Sequence, residues 1–249
     1  VGTPVAVIKY LVGTGEHDPR VFSELLDEVL RHAASRGVRL VTCKVQPLQF
    51  AAIHALERRG FLLMDTLVDF VFDFSRTPFD KITAPQRLNG LDVRLANPDD
   101  LPELLALTEI AFAQHFGRYN SDPEMPAGTG IRVYQEWVRS SFNGAADWIL
   151  VAEINERIAG YSVWKKGSAL EAKHSFDVGR CTLAGIHPDF FGRGLYTTLT
   201  FEGMRITHDF ANHLDAPTHV SHYPVQRAML KLGWKIAGVR HSFHKWLTK

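Results

Sequence analysis

The chain has 249 residues, 45% of them apolar and 22% charged, which is enough to bury one large core or two modest ones and excludes the disordered and collagen-like classes. Twenty-eight basic residues against 27 acidic ones leave a formal net charge of +1 and no long Lys/Arg run, so no nucleic-acid partner is expected. No apolar stretch approaches the roughly 18 to 20 residues that cross a bilayer, and no basic and then apolar leader opens the chain, so a cytoplasmic location without a membrane partner is expected.

In chain order, Phe22 to Ala34 sets Leu25, Leu26, Val29, Leu30 and Ala33 on one helical face. Val38 to Val45 reads as a buried strand, and Gln49 to Arg59 as a helix ended by Gly60. Leu67 to Phe74 reads as a strand with Val68, Phe70, Phe72 and Phe74 facing one way. Ser75 to Gly90, with Pro78 and Pro85, is a connector. Asn97 is an N-cap, with Pro98 at the first helical position and Asp99 and Asp100 suited to the positive helix end. Leu101, Leu104, Leu105 and Phe112 continue that helix as a buried stripe. A loop from Gly117 to Gly130 leads to a helix around Val133 to Ser141, then strands at Trp148 to Ile154, Ala159 to Lys165 and Val178 to Ile186. A Gly-containing turn, a helix from Leu195 to about His213, a short strand, a helix from about Val225 to Leu232 and a last strand, Arg240 to Leu247, complete the chain. This order predicts an α/β or α+β fold with a central mixed sheet.

The halves end alike. Aligning Gly60 with Gly233 pairs Ala52 with Val225, Ala55 with Ala228, Leu56 with Met229 and Phe61 with Trp234, and places a final strand about seven residues after each glycine. Cys43 and Cys181 lie in strand-like apolar segments and read as buried thiols of a reducing compartment, with neither a disulfide nor a metal. His219 with His222 and His241 with His244 are three apart in or near strands, which sets each pair on opposite faces and argues against a metal centre.

The turn Ile186-His187-Pro188-Asp189-Phe190-Phe191-Gly192-Arg193-Gly194-Leu195 joins a strand to a helix on which Leu199, Gly203, Ile206 and Phe210 share a face. The unpaired N–H groups of a helix start attract a pyrophosphate, Gly192 and Gly194 let the backbone approach it, and Arg193 adds charge. By itself such a turn reads more readily as a tight strand-to-helix connection.

The run of strand, His-Pro-Asp turn, Gly-Arg-Gly-Leu, helix, strand and a helix closing in Leu232-Gly233-Trp234 resembles the acetyl-CoA-binding core of the GNAT superfamily of N-acetyltransferases. Ala111-Phe112-Ala113-Gln114 and Tyr134-Gln135-Glu136-Trp137-Val138 are similar to the acceptor-side helices of the dTDP-fucosamine acetyltransferases, and Arg59-Gly60-Phe61 and the opening Val1 to Ala6 resemble their partial N-terminal domain. The resemblance implies a partial, degenerate GNAT-like domain over 1–76, a linker over 77–90 and a catalytic GNAT domain over 91–249. It further implies acetyl-CoA as co-substrate without a metal, a primary amine of a nucleotide-linked amino sugar as acceptor, and a homodimer as the assembly to test. Pantetheine would run along Leu183, Ala184, Gly185 and Ile186, with an oxyanion donor at Gly185 or Ile186. The phosphate loop would be Phe191, Gly192, Arg193, Gly194, Leu195, Tyr196 and Thr197. Phe191 and Tyr196 depart from the family's pattern, Tyr196 by its bulk. Where that branch carries a Tyr as general acid this chain has Met229, which cannot donate a proton, so Tyr223 and His222 are the catalytic candidates. The alternatives are an acetyltransferase of a peptide N-terminus, a polyamine or an antibiotic, and a GNAT protein that holds acyl-CoA without catalysis. The first half is expected to bind no CoA, because Val12 to Asp18 carries Glu16 and Asp18 where a phosphate would sit.

Overall fold

A computed structural model of the chain describes residues 2–11, 19–115, 117–174 and 176–247. The elements are β1 (Val5–Ile8), α1 (Pro19–Ser35), β2 (Leu40–Val45), α2 (Phe50–Arg58), β3 (Leu62–Asp73), β4 (Leu91–Leu95), α3 (Leu101–Phe112), α4 (Arg118–Ser121), α5 (Thr129–Ser140), β5 (Trp148–Ile154), β6 (Arg157–Lys166), α6 (Ala169–Lys173), β7 (Val178–Ile186), α7 (Leu195–His208), β8 (His213–His219), α8 (Tyr223–Lys231) and β9 (Lys235–Trp246). They form two compact units: Val1–Val68 with Phe116–Gly130 and Gly238–Lys249, and Asp69–His115 with Ile131–Ala237.

In the first unit the strand order is β1-β2-β9-β3. β1 runs parallel to β2, and β2 runs antiparallel to β9 from Leu40↔Trp246 to Val45↔His241. The Thr66 hydroxyl meets His241 Nδ1 at 2.9 Å between β3 and β9. Phe22 and Leu26 of α1, Val41 and Cys43 of β2, and the small face Ala51, Ala52, Ala55 of α2 close a core with Phe61 and Phe243. Burial pushes the Cys43 thiol up to about 12.

In the second unit the order is β8-β7-β6-β5-β4. Its pairs are antiparallel except β7 with β8, which run parallel, so the sheet is mixed as expected. Successive β6 residues point to opposite faces. Tyr161 faces α3, where its hydroxyl meets the Thr108 hydroxyl at 2.7 Å, and Gly160 faces Leu199 of α7. On the α3 side Leu104, Leu107, Tyr134, Val138, Val151, Val163 and Leu183 form the core. The predicted cap is present: Asn97 Oδ1 accepts from the Asp99 N–H at 2.9 Å, and Asp100 accepts from the Asn97 N–H at 2.8 Å.

Three boundaries differ from the sequence reading. The helix expected to reach about His213 ends at His208, because the Phe210 and Ala211 N–H groups both turn back to the Thr207 carbonyl, and His213 opens β8. The strands after Gly60 and Gly233 begin two residues on, at Leu62 and Lys235, rather than about seven. β1 and β4 lie in segments not read as strands; both are edge strands without a fully buried residue, β1 a run of only four apolar residues and β4 an alternation of apolar and charged ones.

The order β1-α1-β2-α2-β3 recurs as β7-α7-β8-α8-β9. The two glycine exits are built alike: the Phe61 N–H donates to the Leu56 carbonyl and the Trp234 N–H to that of Met229, with Gly60 at φ 71° and Gly233 at φ 88°. Among the described residues, no helix is long and apolar enough to cross a membrane.

Candidate active site

The parallel pairing of β7 with β8 lasts three residues, Val178↔His213 to Arg180↔Asp215, although β7 runs on to Ile186 and β8 to His219. At this point β7 carries a bulge. Leu183 faces Val163 and Cys181 faces Trp164, leaving Thr182 as the extra residue. An extra residue on one strand bends it and breaks the ladder locally. Beyond it β7 keeps its bonds to β6 on one edge, while the pairing with β8 has stopped on the other.

Strand geometry then sorts the predicted pantetheine residues. The His187 N–H donates to the Ala159 carbonyl on β6 at 2.8 Å. Backbone polar groups alternate in direction along a strand, so Gly185 shares that direction and Ala184 and Ile186 point to the edge that β8 has left. Of the two expected oxyanion donors, Ile186 therefore has its N–H on the open edge. Gly185 has a packing reason to lack a side chain: a Cβ there would stand 2.7 Å from the Tyr161 ring.

The predicted phosphate turn has the conformation its glycines allow. Gly192 and Gly194 adopt φ 74° and 83°, in the left-handed region that favours glycine, and a Cβ on either would meet nothing within 4 Å. Conformation rather than crowding thus explains these glycines. Gly194 is the N-cap of α7, and no side chain caps that helix, so its first N–H groups remain available to an anion. Phe191 and Arg193 are exposed beside them. The Arg193 guanidinium lies 5.5 Å and that of Arg157 6.0 Å from the Phe190 ring centre, which adds a second cation that the sequence did not reveal. Arg157 also reaches Asp189 at 3.6 Å. Leu195 is buried, and Tyr196, half-buried beside Cys181 and Thr200, has its phenol pushed up by that burial. The corresponding N-terminal stretch, Val12 to Asp18, lies outside the described residues.

Met229 is 1% exposed in the core, Tyr223 is 63% exposed at the start of α8, and His222 is half-buried as its N-cap. The prediction that His219 and His222 point to opposite faces is overturned: their rings lie 5.9 Å apart, because β8 ends at His219 and the chain has already turned before His222. Both stand with His115, which follows α3; His115 is 4.8 Å from His222 and 6.3 Å from His219. Tyr134 of α5 is 5.3 Å from His115 and stacks on Phe112 at 4.2 Å. Burial and the neighbouring His219 hold the His222 imidazole below its ordinary range. Among the described residues, no group of three or more His, Cys, Asp or Glu is arranged to hold a metal ion.

A cavity of about 360 Å³ lies at the opposite, paired ends of β7 and β8, against Asp73, Arg180, His213 and Asp215. Its charges compensate each other: Arg180 binds Glu171 at 2.5 Å and Asp215 at 2.7 Å, and that pairing holds the Glu171 carboxyl down at about 2. It is thus an ion-paired wall away from the splayed ends.

The parting parallel strands, the bulge and the uncapped glycine turn between strand and helix place this chain in the class with the GNAT fold. A GCN5-related N-acetyltransferase from Sphaerobacter thermophilus superposes with a TM-score of 0.68 at 14% identity, covering 96% of this chain and 72% of that one. A tandem GNAT protein from the clavulanic acid biosynthesis pathway matches with a TM-score of 0.65 at 13% identity, covering 100% of this chain and 77% of its own. The glucosamine N-acetyltransferase region of a fungal multi-domain β-N-acetylglucosaminidase matches with a TM-score of 0.61 at 13% identity, over 95% of this chain and 29% of that one. In sequence, mycothiol acetyltransferases from Mycobacterium sp. strains MCS and JLS are 29% identical over 129 residues, a match spanning 51% of this chain and 38% of each relative. No protein-family model matches the chain.

Proposed function

We propose that this protein is an acetyl-CoA-dependent N-acetyltransferase of the cytoplasm whose acceptor is a primary amine on an amino sugar, the nucleotide-linked sugars being the class to test first. The observation that carries the reading is the parting of β7 from β8 after three pairs, beside a helix start that no side chain caps. Pantetheine can pair with the freed edge at Ala184 and Ile186 while Gly192, Arg193, Gly194 and the α7 N–H groups hold the pyrophosphate. Arg157 adds to that anion site. The names of the matched proteins, mycothiol acetyltransferase and glucosamine N-acetyltransferase among them, support an acetyl donor. On this reading the repeated first half is a degenerate GNAT copy over 1–76 that serves as scaffold, followed by the linker 77–90 and the catalytic copy 91–249.

The free amine attacks the thioester carbonyl, so the protein must align two substrates and hold an oxyanion, a role that the Ile186 N–H on the open edge would fill. A non-catalytic acyl-CoA-binding protein is the second reading, favoured by the burial of Met229 at the expected acid position. Calorimetry with acetyl-CoA, followed by a free-thiol assay with a nucleotide amino sugar, glucosamine, a polyamine and a peptide N-terminus, separates the two. Binding with thiol release that depends on an amine is the expected result. Binding without release from any amine identifies the non-catalytic protein, and no binding overturns both readings.

A further inference from the structure

His115, His219 and His222 come from three places in the chain and meet at the open end of β8. Gln226 Nε2 holds the intervening turn by donating to the carbonyls of Val220 at 2.7 Å and His219 at 3.3 Å. The Ser221 N–H donates to His219 Nδ1 at 3.2 Å. That nitrogen must therefore offer a lone pair, and the proton of a neutral His219 sits on Nε2. The groups that face His222 are His219 on the β8 side and His115 after α3, with Tyr134 of α5 behind His115. The close rings of His115 and His219 help to bury His222, which disfavours its charged form, and His219 adds repulsion against a proton there. A neutral imidazole is a proton acceptor, so the geometry suits His222 to receive a proton rather than supply one.

We propose, resting on the acetyltransferase reading, that His222 is the base that deprotonates the acceptor ammonium, and that His115 and His219 are positioning residues that keep it neutral. One N–H proton of the ammonium moves to His222 and then to solvent. The freed lone pair forms the C–N bond as the C–S bond breaks, and a second N–H proton ends on the CoA sulfur. The sum is ammonium plus thioester giving amide, thiol and one released proton. This reverses the role of proton donor that the sequence suggested for His222, and it assigns parts to two histidines that the sequence left out of the site.

The test has two arms on the full chain. In the first, imidazole ¹⁵N NMR titration is run on the parent, His115→Asn and His219→Asn, with no substrate. His222 should titrate below the ordinary imidazole range and move up in both variants. A His222 midpoint that neither variant moves overturns the positioning role. In the second, acetyl-CoA affinity and turnover are measured for His222→Asn with whichever amine of the panel the parent acetylates. Unchanged affinity with turnover lower by roughly 10²-fold, and recovery as pH rises to free the amine unaided, is expected for a base. Turnover within about threefold of the parent, far below that factor, overturns the assignment. A parent that binds no CoA, or releases no thiol with any amine, overturns the acetyltransferase reading and the proposal with it. That failure is recognisable because the NMR coupling would persist.

Discussion

At Met229 the core outweighs the chemistry expected there. Its side chain is 1% exposed, and the Trp234 N–H that follows it closes the helix onto the Met229 carbonyl. A tyrosine there would not restore a proton donor; it would force a larger, polar side chain into a filled space. We expect Met229→Tyr to lose about 1–3 kcal/mol of stability by overpacking. The check is a lower denaturant midpoint at unchanged slope, with no gain in turnover. Other residues are constrained by conformation instead. At Gly192 and Gly194 the neighbourhood is empty, and what restricts them is φ, so a β-branched replacement would deform the turn as well as stand in the way of the proposed pyrophosphate.

At the scale of elements, α7 sits close on the sheet because it carries Gly203 where Trp164 lies beneath. A Cβ at Gly203 would come within 2.0 Å of the Trp164 ring, which is itself 0% exposed and cannot swing away. In a free helix Gly→Ala gains about 1 kcal/mol; here the clash decides the sign. Gly203→Ala should destabilise by about 1–3 kcal/mol, seen as a lower melting temperature, and, on the proposed function, should weaken acetyl-CoA binding by lifting the helix that follows the proposed phosphate turn. β5, largely apolar and mostly buried, and β7, which alternates buried with more exposed residues over most of its length, were legible in the sequence to the residue, and so were the glycine turn and the Asn97 cap. β1 and β4 were not, since each is a short strand at a sheet edge, too brief for its pattern to stand out from the segments around it. The histidine cluster was also hidden: the spacing of His219 and His222 reads as opposite faces of a strand, nothing in the sequence ties His115 to them, and only the course of α3 and β8 brings the three together.

For the molecule as a whole, acid sensitivity should have two stages. His244 of the first unit, whose Nδ1 meets Asp122 at 2.8 Å, and His222 of the second are both held below the ordinary imidazole value of 6.5, chiefly by burial. A depressed imidazole binds its proton more readily in the unfolded chain, so stability from this source is complete above about pH 6.5 and is lost as pH falls below it. Asp27, Asp73, Asp100 and Glu171 are depressed by hydrogen-bonded partners and act only below the carboxylate range near pH 4. Melting temperature should therefore begin to fall between pH 7 and 5.5, and His244→Gln with His222→Asn should flatten that first slope. A parent curve that is level down to pH 5 would contradict the assignment.

The first compact unit begins near residue 1 and also takes in Gly238–Lys249. β2 has its antiparallel neighbour only in that closing segment, through six paired residues from Leu40↔Trp246 to Val45↔His241. During synthesis, therefore, β2 emerges well before the strand it pairs with. Until β9 has left the ribosome, that β2 edge has no antiparallel strand to pair with, so this unit cannot close before the segment that carries β9 has been made.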